Sequence, residues 1–184
     1  MNTTSKNKLS LDEEKLLNGL SNYLDIQFYY YGSIQRNDYI QGKSDIDVAI
    51  FTNNEKSVLL KMQHYLKVEK DDFKRVLWKL KKNNSITYGY KLKYSKNNMQ
   101  IEFAIYNETS KEDIIQYQDN TIKIPFYVAW LLSILKTLYY HWNIISPTVY
   151  MYLKRKIFSY GSCQANGEDE QFIVLKNKYN KNNI

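Results

Sequence analysis

The sequence predicts an α+β fold: a mixed, mainly antiparallel sheet backed by helices, with a C-terminal helical hairpin. Three observations carry this expectation. Helical apolar spacing opens the chain, where Leu11, Leu16, Leu17, Leu20 and Leu24 follow Ser10. Short runs of β-branched and aromatic residues, separated by Asn-rich joints, fill its middle. Two apolar segments, one opened by Pro125 and one by Pro147, close it. With 184 residues, 43% of them hydrophobic, there is enough apolar material for one compact core. We divide the chain into a core over residues 1–122, a helical hairpin packed on it over 123–160, and a tail over 161–184 with little to order all of it.

The elements follow in order. In "SLDEEKLLNGLSNYL", Ser10 is a suitable N-cap and acids occupy the first turn, where the helix dipole favours them. "IQFYYYG" reads as a buried strand running into Gly32, and "SDIDVAIF" as a second strand; the polar stretch between them is long enough to fold back. "NEKSVLLKMQHYLKV" has helical periodicity through Val58, Met62, Tyr65 and Leu66, so a helix follows the second strand. Three further strands are expected in "FKRVLWKL", "SITYGYKLKY" and "MQIEFAIY", joined by "KKNN" and "SKNN". The segment from Pro125 to Trp142 and the one from Pro147 to about Tyr160 then form the hairpin. His64 and His141 lie on apolar helical patterns and read as packing residues.

Asp45 and Asp47 raise a physical problem. They stand one residue apart at the head of an apolar run, so the strand carries two acids on one face and Ile46, Val48 and Ile50 on the other. In "MQIEFAIY", Glu102 is likewise a lone acid opposite the apolar face of Ile101, Phe103 and Ile105. If the two strands are neighbours, three carboxylates converge on one sheet face, and their joint ionisation calls for a divalent cation. The single Cys163 forms no internal disulfide, and two His with one Cys give no zinc cluster, so a metal here takes oxygen ligands, as magnesium does.

Tyr31-Gly32-Ser33, eleven intervening residues, and then Asp45-Ile46-Asp47-Val48 resemble the signature of the polymerase-beta-like nucleotidyltransferase superfamily, near its minimal and poly(A)-polymerase-like branches. The resemblance covers roughly Gln27 to Tyr106. It implies a metal-dependent, template-independent nucleotidyltransferase. Gly32 and Ser33 would bind the β- and γ-phosphates of a nucleoside triphosphate, with Lys43 and Ser44 placed either against phosphate or in the turn itself. Asp45 and Asp47 would bridge two Mg2+ ions, with Mn2+ able to substitute. Glu102 would complete the acceptor-side metal site and take the proton of the attacking hydroxyl. Many relatives use Asp as this third acid, so Glu102 is a small departure.

The acceptor is open among RNA, single-stranded DNA, a protein and a small molecule. One alternative is AMP transfer to a protein or small-molecule acceptor; another is a catalytically idle module that binds nucleic acid or a partner protein. Charge distribution bears on this. No acid lies between Asp72 and Glu102, where Lys74, Arg75, Lys79, Lys81, Lys82, Lys91, Lys93 and Lys96 contribute +8. None lies between Asp119 and Glu168, where Lys123, Lys136, Lys154, Arg155 and Lys156 contribute +5. Such blocks suit a polyanion, and equally a solvated lysine face enlarged by an AT-rich coding bias. Lys136, Lys154, Arg155 and Lys156 are candidates to reach the triphosphate from the hairpin. Trp130, Tyr139, Tyr140 and Trp142 are candidates to stack a base, though packing is the commoner use of such residues. The polar N-terminus, and an apolar segment broken by Ser133, Lys136 and Thr137, predict a soluble cytoplasmic protein with no membrane partner.

Overall fold

The computed structural model describes residues 1–80, 85–161 and 172–174. Lys81, Lys82 and Cys163 lie outside the described residues, as does the predicted tail apart from residues 161 and 172–174.

Helix α1 spans Leu11–Leu24 and starts as the sequence predicts. Ser10 and Glu13 form a reciprocal capping box: the Ser10 hydroxyl accepts from the Glu13 amide at 3.3 Å, and the Ser10 amide donates to Glu13 Oε2 at 2.7 Å. Strand β1 is confined to Tyr29–Tyr31, shorter than "IQFYYYG" suggests: only these three residues pair with β2, so Ile26, Gln27 and Phe28 fall outside it, and it ends where Gly32, at a φ of +68°, turns the chain into a 3-10 turn over Gly32–Gln35. Strand β2 spans Ile46–Thr52, and α2 spans Glu55–Leu66 with Asn54 as its N-cap.

Three strands follow as predicted: β3 (Phe73–Leu80), β4 (Ser85–Lys96) and β5 (Met99–Asn107). Asn97 and Asn98, at φ 51° and 61°, make the tight β4–β5 turn, the left-handed pair that a two-residue hairpin requires. Helix α3 (Lys111–Ile122) has no counterpart in the sequence reading. Helices α4 (Phe126–Tyr140) and α5 (Pro147–Gly161) form the predicted hairpin. Phe172–Val174, assigned above to the tail, forms β6 on the edge of β3.

The described strands make one sheet in the order β1-β2-β5-β4-β3-β6. Only β2 and β5 run parallel; every other neighbouring pair is antiparallel. One sheet face, with Ile46, Val48, Ile50, Ile101, Phe103 and Ile105, packs on Leu17, Leu20 and Leu24 of α1 and on Val58, Met62 and Leu66 of α2. On the reverse face, Ala49, Phe51, Ala104 and Tyr106 form a smaller cluster with Tyr31 and with Ile114 of α3. That helix has a weak apolar stripe, and its burial comes from packing on this second cluster. The acids lie on the same reverse face. No helix among the described residues is long and apolar enough to cross a membrane.

Candidate active site

Register brings the predicted acids to one place on the sheet. Asp47 is the Cα partner of Tyr31 on one side and of Glu102 on the other, and Glu102 is in turn the partner of Lys93 on β4. One row across four strands therefore reads Tyr31, Asp47, Glu102, Lys93. Asp45 precedes β2 and is exposed.

Gly32 is fixed by two independent demands. Its φ of +68° is a left-handed conformation that other residues adopt with strain, and a Cβ there would stand 2.0 Å from Asp47 Oδ2. The glycine thus lets the Asp47 carboxylate seat directly against the backbone at the head of the turn. Ser33 follows in the same turn, half-buried.

Seating costs Asp47 hydration. Desolvation, then the charges of Glu102 and Asp45, push its carboxyl up to about 7, and Lys91 and Lys154 offset only part of this. An acid held this far above its ordinary range marks a place short of positive charge. Lys154, on α5, is among the charges that act on Asp47.

Glu102 is in a different situation. Lys91 Nζ stands 2.5 Å from its Oε1, and Lys93 Nζ stands 3.7 Å from its Oε2. Among the described residues no group of three or more His, Cys, Asp or Glu stands together so as to hold a metal ion. The expected convergence of Asp45, Asp47 and Glu102 is thus realised as a strand-to-strand pairing of Asp47 with Glu102, and a lysine lies against the third acid. The donor set can be tested against a divalent cation on these observations. Asp45 and Asp47 offer hard oxygen ligands where charge is lacking, and they fit an ion; Glu102 already has its counter-charge.

The other candidates divide in the same way. Ser44 is buried, and its hydroxyl accepts from the Ile40 amide at 3.1 Å and from Lys136 Nζ at 3.2 Å, which is the turn role. Lys43 is exposed and lines an open groove of about 680 Å³ with Tyr139, Tyr140 and residues 143–147. Burial, followed by the Asp45 charge, raises the Tyr140 phenol. Tyr139 stacks on Tyr150 at 4.3 Å between ring centroids, a packing role. Trp130 and Trp142 are more than half exposed and pack little. His64 and His141 are both exposed, yet His64 still packs: its ring stacks on Tyr23 at 6.3 Å between centroids, with Nδ1 3.3 Å from the Tyr23 hydroxyl.

Lys136 does not extend toward the acids. It is buried on Asp38, with Nζ 3.0 Å from Asp38 Oδ2 and 2.6 Å from the Asp38 carbonyl oxygen. Arg36 Nε donates to Asp38 Oδ1 at 2.8 Å, and Nη2 donates to Oδ2 at 3.2 Å. Burial alone would raise the Asp38 carboxyl; the hydrogen bonds and charges of Arg36 and Lys136 outweigh it and hold the carboxyl below its ordinary value. This cluster clamps the loop between β1 and β2 onto α4, and Arg36 also lies over the Phe158 ring of α5 at 5.3 Å. Arg36 and Asp38 fall in the polar stretch between the first two strands, and the sequence reading names neither as a site residue. The signal that pointed to them was Lys136, a lone cation in an apolar helix, which needs a buried partner.

Several solved structures overlap this fold in part. The conserved protein GrpB from Enterococcus faecalis is 15% identical with a TM-score of 0.47, covering 80% of this chain and 88% of that one. A cytoplasmic RNA terminal U-transferase is 16% identical with a TM-score of 0.40, covering 76% of this chain and 45% of that one. The Cid1 poly(U) polymerase bound to Mg 3'-dATP is 16% identical with a TM-score of 0.43, covering 79% and 49%. The chain thus matches less than half of each of these two RNA enzymes. No curated protein matches it. Residues 13–134, more than half of the chain and including Gly32, Ser33, Asp45, Asp47 and Glu102, match the nucleotidyltransferase domain family. The turn, the seated acid and the pairing of strands agree with that match: the chain belongs to the nucleotidyltransferase domain family, within the polymerase-beta-like superfamily.

Proposed function

We propose that the chain moves a nucleoside monophosphate from a nucleoside triphosphate to an acceptor hydroxyl on RNA or single-stranded DNA. The observation that carries the reading is the seating of Asp47 against Gly32, with Glu102 opposite it in register. An acid held at this cost, beside a turn whose backbone approaches closely, suits a site that receives a cation and a phosphate chain together. Asp45 and Asp47 would hold a divalent ion, which supplies positive charge to the triphosphate oxygens.

The acceptor oxygen forms its bond to the α-phosphorus as the bond to the bridging oxygen breaks and pyrophosphate leaves. The acceptor's proton passes to the Glu102 carboxylate. Lys154 adds charge from the hairpin side. A polynucleotide acceptor is supported by a basic ledge on the same sheet face: Lys93 is the partner of Glu102, and Lys74 the partner of Lys91. Lys74 and Lys93 are both exposed.

The test is to incubate the protein with each α-labelled triphosphate, Mg2+ and a cell extract, and to ask whether label enters nucleic acid, protein or small molecules. Asp47→Ala should remove transfer with the fold intact by circular dichroism. Glu102→Gln should lower turnover by ~100-fold, the usual scale for a general base. Transfer by Asp47→Ala at the unaltered rate would end the reading; label in protein or small molecules would replace the polynucleotide acceptor.

A further inference from the structure

The family resemblance implies two divalent ions, one beside the triphosphate and one beside the acceptor. The acceptor-side acid, however, has a cation of its own. Lys91 Nζ is 2.5 Å from Glu102 Oε1, and both side chains are largely covered, at 22% and 15% exposed. Lys93, the second cation on Glu102, is 79% exposed at 3.7 Å and contributes far less. The placement follows from register. Lys91 stands in the row beside Ala104 and Ala49, two small residues, while Glu102 and Asp47 stand in the adjoining row. The lysine stem reaches back over that low ground to the carboxylate.

We infer that the Lys91 ammonium fills the acceptor-side cation position, and that this chain therefore binds one divalent ion with its triphosphate, on Asp45 and Asp47, rather than two. A second ion would have to take Glu102 from an ammonium in direct contact with it, against the repulsion of that same ammonium. The tethered cation stands beside the acceptor hydroxyl whatever the free metal concentration. The inference rests on the nucleotidyl-transfer reading above.

The experiment counts ions. Mn2+ binding to the full chain is followed by the loss of its free electron paramagnetic resonance signal, in the presence of a saturating non-hydrolysable triphosphate analogue. One Mn2+ per chain is expected. Lys91→Met should raise the count to two, Lys91→Arg should keep it at one, and Glu102→Gln should leave the first ion's affinity unchanged. Two ions on the unaltered protein would overturn the inference. A count that stays at one in Lys91→Met, or a first ion lost with Glu102→Gln, would do the same. If Lys91→Met does not fold, the unaltered protein and Glu102→Gln still decide. Failure to bind either analogue or metal would remove the nucleotidyl-transfer reading as well, whereas two ions would remove the one-ion inference alone.

Discussion

Asp47→Asn should stabilise the metal-free protein, and the gain should appear only as pH rises. The Asp47 carboxyl stands at about 7 in the folded chain against an ordinary 3.8, raised first by desolvation and then by Glu102 and Asp45. Between those two values the unfolded chain has released this proton and the folded chain still holds it, so stability falls as pH climbs through the window. At ~1.4 kcal/mol per pH unit, a gap of about three units sets a ceiling of roughly 4 kcal/mol. Solvent still reaches part of the side chain, so screening lowers this to about 2 kcal/mol. Asn keeps the shape that Gly32 accommodates and never ionises.

The variant should therefore match the unaltered protein near pH 4 and exceed it by about 2 kcal/mol at pH 8, a Tm gain of roughly 4–8 °C for a chain of this size. Urea titrations at pH 4, 6 and 8 in EDTA measure the gap. Mg2+ with triphosphate should stabilise the unaltered protein and leave the variant where it was. A gap that does not vary with pH, or an unaltered protein that is the more stable at pH 8, would refute the account of Asp47.

Gly32→Ala should cost about 2 kcal/mol or more, since a left-handed non-glycine residue alone costs roughly 1–2 kcal/mol and the new Cβ meets Asp47 Oδ2; transfer at the normal rate would show that Asp47 need not seat there. Asp38→Asn leaves Arg36 and Lys136 buried without their counter-charge and should cost about 3 kcal/mol by urea denaturation at pH 7, a buried pair broken from one side. If RNA or single-stranded DNA is the acceptor, log affinity should fall with log salt at about −0.7 per phosphate contact, and Lys74→Glu with Lys93→Glu should flatten that slope while triphosphate binding holds. Negligible polynucleotide affinity at low salt would point instead to a protein or small-molecule acceptor.

Much of the fold was legible because its signals are local. The start of α1 lies in Ser10 and Glu13, three residues apart, which complete each other's hydrogen bonds. The β4–β5 hairpin lies in Asn97 and Asn98, two residues able to take positive φ. Elements whose existence depends on a distant surface were harder to see. α3 has little apolar face of its own and is held by Ile114 against the second cluster. β1 starts later than its residue types suggest, because Ile26 to Phe28 have strand character but only Tyr29–Tyr31 find a partner in β2.

The sequence by itself determined the class of fold and the order of its main strands and helices, and it singled out Gly32, Asp45, Asp47 and Glu102 as candidates. Residue type and short spacing carry that information, since they fix hydrogen bonding, periodicity and charge within a few positions. Tertiary structure decided which charges meet. Lys136 reaches Asp38 across 98 positions and anchors the hairpin instead of facing the acids. Lys91 meets Glu102 because β4 and β5 pair in one register; a slip of one residue would turn that lysine to the other sheet face. Long-range register and burial come from the packing of the whole core, and no short window of sequence contains them.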